Sequence, residues 1–282
     1  MNWLYLSLAS AYFLACLNIL SRIISVDSKN PRALSFIFNL FALIMALAIY
    51  LLTGSYKNFS LPTEFEAWMY FFIAVFFYGL YERVRFYVSK ALDASVNSVI
   101  TNLAVVIAFF ISLFLYKESL TLSKAAGFFL IMTSLFLAVD RKKSNVGIKG
   151  IILGLIASIF LGIGWGLDKN GVLFFNPETY NVLAWLGTFA IVYLPYIKFK
   201  DIKYEIKKYS WKIILLSFFN VIGYFLMLKA FNLNDATKVI PITQLSVLIT
   251  VIAGIVLLNE KKNLLKKIFA GIIAIAGVFL LR

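Results

Sequence analysis

Histidine is absent from the 282-residue chain, and cysteine occurs once, at Cys16. The first absence removes the commonest general base and metal ligand together. The second excludes an intramolecular disulfide and any cysteine cluster for a metal. Charge is also scarce: 14% of residues are Asp, Glu, Lys or Arg, where a soluble chain carries about a quarter. With 62% hydrophobic residues, water cannot be the main solvent of this chain. The net charge of +14 raises the question of nucleic acid. The basic residues, however, sit in short stretches between apolar runs and not in one stripe with interleaved aromatics. They read as topology signals and lipid-headgroup contacts. No nucleic acid, cofactor or metal is expected.

What the chain has is a succession of apolar runs, each of about 18 to 24 residues and long enough to cross a hydrocarbon core of about 30 Å. They run from Trp3 to Ile24, Ala33 to Leu52, Trp68 to Ala91, Ala94 to Tyr116, Leu122 to Val139, Ile148 to Leu167, Tyr180 to Ile197, Ile213 to Ala230, Ala236 to Leu258 and Leu264 to Leu281. The first lacks a basic n-region and leads into Arg22, so a retained span is expected in place of a cleaved signal. The runs are continuously apolar, without the alternation of barrel strands, so the expected fold is an all-α integral membrane protein. Turn and cap residues fill the connections, as in Asp27-Ser28-Lys29-Asn30-Pro31 and Asn176-Pro177-Glu178-Thr179, where the prolines are expected to start helices. The longest connection, with Lys198, Lys200, Lys203, Lys207 and Lys208 around Asp201 and Glu205, reads as a solvated connector.

The second half repeats the first. Residues 93–118 align without a gap on 235–260: Asp93 matches Asp235, Ser95 matches Thr237, Ile100-Thr101 match Ile242-Thr243, Leu103 matches Leu245 and Glu118 matches Glu260. Upstream, Lys90-Ala91-Leu92 answers Lys229-Ala230-Phe231, and downstream Ala126-Gly127 answers Ala270-Gly271. One copy per half means duplication, with units 1–142 and 143–282. Five spans is an odd number, so the second copy enters the membrane inverted. Inverted repeats place a site near the midplane and permit alternating access.

These residues resemble the drug/metabolite transporter superfamily, specifically its ten-span EamA-type transporters. The resemblance covers essentially the whole chain and rests on the twice-occurring KAL or KAF, then DAS or DAT, then a span ending in Glu118 or Glu260, then Ala-Gly. It implies export or exchange of amino acids, other metabolites or toxic compounds through a cavity between the halves. It also implies a Trp-Gly signature in the first helix of each half. Trp165-Gly166 fits, whereas the first span reads Cys16-Leu17-Asn18.

Candidate site residues follow from polarity inside the spans. In the third span, Tyr78, Tyr81, Glu82 and Arg85 fall within an arc of about 100° while Arg83 points elsewhere. Each charge at a helix centre costs about 2.5 to 3.5 kcal/mol, so lipid exposure is not expected. In the eighth span, Asn220 and Tyr224 match Tyr81 and Arg85. The fourth and ninth spans add Asn97 and Thr101 against Gln244 and the helix-distorting Pro241, and the first helices of the halves add Asn18 and Trp165. Such amides and hydroxyls orient a zwitterion but also join helices, and the Glu82–Arg85 spacing equally suits an ion pair that only stabilises packing. Asp93 and Asp235 stand before helices as candidate N-caps. Gly127 with Thr133, and Gly271 with Ala274 and Gly277, offer small packing faces.

The expectation is a secondary transporter, not an enzyme, in a plasma membrane or bacterial inner membrane. Its partners are a small-molecule substrate and the lipid bilayer, with a monomer as the working unit. If protons are coupled, Glu82 is the candidate as the one acid well inside a span, with Asp168 second at the end of the sixth. A lipid-modifying enzyme and a non-transporting scaffold are the alternatives. Basic residues concentrate in the odd-numbered connections, which places both termini outside, whereas the resemblance implies both in the cytoplasm.

Overall fold

The computed structural model describes residues 2–25, 28–92, 94–138, 147–194, 197–250 and 264–281. The positions Asp93 and Glu260, singled out in the repeat, lie outside the described residues. The helices are α1 (Trp3–Ser25), α2 (Pro31–Leu52), α3 (Phe65–Ala91), α4 (Ala94–Leu115), α5 (Leu122–Ala138), α6 (Ile148–Phe174), α7 (Pro177–Tyr193), α8 (Phe199–Tyr209), α9 (Trp211–Leu233), α10 (Ala236–Thr243) and α11 (Leu264–Leu281). A 3₁₀ turn spans Ser55–Asn58.

The solvent of this fold is visible on its outside. Phe72, Phe114, Phe129, Ile152, Ile272 and Phe279 are all exposed, an arrangement that water penalises and hydrocarbon does not. The 22 residues of α2 reach about 33 Å at about 1.5 Å each, enough to cross a bilayer. The chain is an all-α, multi-pass membrane protein: among the described residues α1, α2, α6 and α9 are long and apolar enough to cross a membrane.

Local chemistry sets the helix starts. Asn30 accepts from the Arg32 and Ala33 amides, and Asn176 from the Glu178 amide, each followed by proline in the first turn. Pro62 departs from this rule: α3 begins only at Phe65, and the Pro62 carbonyl instead accepts the Trp68 indole N–H at 2.9 Å. The Asp235 side chain does not cap α10. Glu118 takes that role, accepting from the Ala236 and Thr237 amides at 2.9 and 3.1 Å. Asp235 turns to Lys124 and Lys169, at 2.6 and 3.4 Å.

The connector after α7 is more than solvated chain. It holds α8, whose buried Glu205 accepts from Ser28 Oγ and the Lys29 and Asn30 amides at 3.0, 2.9 and 2.9 Å. This fixes the turn that enters α2. Helix α6 continues to Phe174, seven residues past the expected end at Leu167. The region of Pro241 does distort: a turn at Gln244-Leu245 interrupts the helical path, since proline supplies no N–H to the ladder.

The helices pack with exchange symmetry. In the repeat register α1 corresponds to α6, α2 to α7, α3 to α9, α4 to α10 and α5 to α11, with α8 extra. Accordingly α1 packs on α9 and α10 as α6 packs on α3 and α4, while α2 meets α7 and α5 meets α11. At the last contact Gly127 and Gly277 face one another: a Cβ on Gly127 would lie 2.9 Å from the Gly277 carbonyl. Ala274 is buried there. Gly271 has open space around it and Thr133 is exposed, so these two do not form the close approach.

Candidate functional site

Where α2, α3, α6, α7 and α9 converge, polar side chains gather at two levels. The first centres on Asp168 of α6, which is fully buried. Tyr78 of α3 donates to its Oδ2, while Tyr180 of α7 and Tyr224 of α9 donate to Oδ1 at 3.0 and 2.9 Å. Glycines on α6 admit this cage. A Cβ on Gly164 would fall 2.7 Å from the Tyr78 ring and one on Gly171 2.1 Å from the Tyr180 ring. The rings therefore lie directly on the α6 backbone.

The second level is the Glu82–Arg85 pair of α3, buried and 2.7 Å apart. Asn39 of α2 donates to Glu82 Oε2 at 3.4 Å, and Ser35 Oγ to the Glu82 carbonyl at 2.5 Å. The Arg85 guanidinium lies 4.7 Å from the Phe38 ring centre, with Phe86 at 5.0 Å and Tyr81 at 5.8 Å. Arg85 and Asp168 each stand six residues before their helix ends, Ala91 and Phe174, or about 9 Å deep at about 1.5 Å per residue. Because α4 runs from the end of α3 towards the end of α6, where Tyr116 meets Gly166 and Asn170, the two charged levels lie towards opposite ends of the bundle.

An aromatic waist joins them. Trp185 of α7 meets Phe38 edge-on at 6.0 Å and Tyr224 at 6.1 Å, and Tyr224 meets Tyr78 at 6.0 Å. Trp185 follows Pro177 at the distance by which Asn39, which contacts Glu82, follows Pro31. Among the described residues, the Trp185 Nε1, both amide atoms of Asn181 and the Asn39 Oδ1 have no hydrogen-bond partner.

The structure thus brings Tyr78 and Tyr224 together on Asp168, and Tyr81 beside Glu82 and Arg85. Gln244 is buried just after α10, and Trp165 and Asn220 are half-buried on α6 and α9. Thr101 Oγ1 donates to the Asn97 carbonyl of its own helix at 2.8 Å, both residues being half-buried on α4. Asn18 is exposed on α1. Nothing groups these six with the two charged levels. Glu82 is not the one acid well inside a span, because Asp168 is too. Sequence reading missed Tyr180, Trp185, Asn181 and Asn39 as site residues. The signal that could have found the cage was Gly164 before Asp168 and Gly171 after it, where Tyr78 and Tyr180 come in, whereas Gly162 and Gly166 admit Ile107 and Ile111 of α4.

At the membrane face where α6 ends, Lys169 bridges Glu118 at 3.0 Å and Asp235, and Lys124 holds the other Asp235 oxygen. On that face Lys229 reaches Glu178 at 2.5 Å, while on the other its repeat counterpart Lys90 reaches the Ser28 carbonyl at 2.6 Å. Each lysine ties its helix to the entry of α7 or α2.

Comparison with known proteins fits this architecture. A crystal structure of another protein superposes with a TM-score of 0.71, covering 97% of this chain and 94% of that chain at 11% identity, which establishes a shared fold. No curated protein sequence matches the chain. The model of the EamA-like transporter family matches twice, over residues 1–139 and 148–282. A duplicated five-helix architecture with polar groups gathered between its halves, matched by that model in both halves, places the chain in the EamA-like transporter family, whose members move small solutes across membranes.

Proposed function

We propose that the chain is a secondary transporter, an exporter or exchanger of a small organic solute such as an amino acid or related metabolite. It works by alternating access, with units 1–142 and 143–282 rocking about the α2–α7 and α5–α11 contacts in a plasma membrane or bacterial inner membrane. The observation that carries this reading is the exchange-symmetric packing of the halves around buried polar levels set towards opposite ends of the bundle. Equivalent contacts on the two faces give two conformations of comparable energy, which alternating access requires. The substrate path runs past the Glu82–Arg85 pair, the waist and the Asp168 cage, with Asn18, Asn97, Thr101, Trp165, Asn220 and Gln244 as outer lining. Arg85 attracts an anionic group of the solute and Glu82 positions the guanidinium. One copy of the chain suffices.

A metabolite panel screened for stabilisation of the purified protein identifies ligands, since binding to the native state raises stability by mass action. Counterflow of the best ligand in reconstituted vesicles then tests transport. Saturable counterflow is the expected result, and ligand binding without counterflow contradicts the proposal.

A further inference from the structure

Three acids at the face where α6 ends have lysine partners: Glu118 and Asp235 share Lys169, and Glu178 has Lys229. Within the spans Glu82 has Arg85. Asp168 differs. It is fully buried, its contacts are three tyrosine hydroxyls, and no lysine or arginine among the described residues pairs with it. Its sequence neighbour Lys169 turns away to Glu118 and Asp235. The groups facing it are Tyr78 from α3, Tyr180 from α7 and Tyr224 from α9. Tyr116, at the end of α4, reaches the α6 backbone instead, donating to the Gly166 carbonyl and accepting from the Asn170 amide. On α3, Glu82 and Arg85 lie further along and neutralise each other.

Three donors aimed at two oxygens describe a carboxylate acting as acceptor. A charge so buried requires a counter-charge or a proton. Tyr180 is 0% exposed, and Tyr78 and Tyr224 are buried with it. The Trp185 ring stands 6.1 Å from that of Tyr224, and its buried indole N–H is unpartnered, as is Asn181 one turn before it on α7. Aromatic faces around a carboxylate favour a cation, and an indole N–H can only donate. The complementary solute carries a positive charge and, a few ångströms away, a hydrogen-bond acceptor.

We infer that Asp168 is an exchangeable cation site: its organic occupant is the ammonium group of a small amine bearing a hydrogen-bond acceptor, and its alternate occupant is a proton. This rests on the transport reading and adds its substrate class. When the ammonium enters, the carboxyl proton leaves to the water on the face then open. At the other face a proton returns as the amine departs. One positive charge replaces another, so the cage stays neutral throughout.

Benzyltrimethylammonium is the probe, because it has no proton to lose and cannot cross a bilayer as a free base. Phenylacetate is its anionic control. With the purified full chain in weak buffer, the cation is expected to bind saturably and release protons from the protein. Its affinity should fall by up to about tenfold per pH unit as the medium is acidified. Asp168→Asn should lose at least about tenfold in affinity and all proton release. Tyr224→Phe, which keeps the ring, should weaken binding several-fold and serves if Asp168→Asn does not fold. Cation binding to Asp168→Asn or Tyr224→Phe equal to wild type, no cation binding at any pH, or binding of phenylacetate in its place would each overturn the inference. Vesicle uptake separates the two claims. Proton-releasing binding without uptake removes transport and keeps the site; uptake of another solute unaltered by Asp168→Asn removes the site and keeps transport.

Discussion

The two buried acids of the spanning helices have opposite settings. Glu82 carries its own counter-ion one turn away, cushioned by Phe38 and Phe86, and the pair is complete as it stands. Asp168 is surrounded by neutral donors supplied by three helices other than its own. A pair on one helix travels with that helix whatever the rest of the bundle does. A carboxylate held by α3, α7 and α9 is rebuilt whenever those helices shift against α6, so its surroundings report the conformation of the whole protein. In the proposed transport cycle Glu82 therefore holds Arg85 in place for the solute, and Asp168 couples occupancy to movement.

The comparison breaks most visibly under charge removal. Arg85→Gln strands Glu82 in an apolar setting and should cost about 3–5 kcal/mol of stability. Glu82→Gln together with Arg85→Gln should recover much of that loss, which chemical unfolding of the purified protein in detergent would measure. Asp168→Asn leaves no charge behind and keeps an acceptor for the tyrosines, so its stability should change by no more than about 1 kcal/mol. Equal losses for Arg85→Gln and Asp168→Asn would erase the distinction between the two acids.

A smaller effect tests how the cage is seated. Gly171→Ala puts a methyl 2.1 Å from the Tyr180 ring and should destabilise by about 1–3 kcal/mol through overpacking. Gly271→Ala meets nothing within 4 Å and should stay within about 0.5 kcal/mol of wild type. Thermal melting of the two variants side by side provides the check.

The smallest effect concerns the face beyond the cage. Burial raises the Asp235 carboxyl, but the hydrogen bond and charge of Lys124, followed by those of Lys169, outweigh it and hold the group below its ordinary range. A carboxyl lowered on folding contributes stability above its unfolded pKa and loses it as the pH falls through the folded one. A modest decline below about pH 4 should therefore vanish in Asp235→Asn. Acid titration of the melting temperature compares the two.

Much of the fold was legible because it follows from solvent and repetition. Apolar run length located the spans, and the match of Asp93 to Asp235 revealed the duplication that the packing of α1 and α6 reflects. The cage was less legible because a charge ends an apolar run by composition even where the helix continues. Leu167 therefore looked like a terminus, and Asp168, at that end, ranked second to Glu82. Tyr180, Trp185 and Asn181 had no signal of their own; an aromatic or amide in a span is indistinguishable from packing until its neighbours are known. The capping role of Glu118 depended on which connection folds over α10, a tertiary fact that left Asp235 as the obvious local choice.

The central claim is that the site between the halves opens to each face in turn. In a Cys16→Ala background no other thiol remains, so Tyr81→Cys, beside Arg85 on the α3 polar face, reports access alone. A membrane-impermeant thiol reagent applied to sealed, oriented vesicles from outside, and separately trapped inside, measures it. The account predicts modification from both faces, with a saturating ligand from the panel altering the two rates in opposite directions. Modification from one face only, at a rate indifferent to ligand, would contradict it.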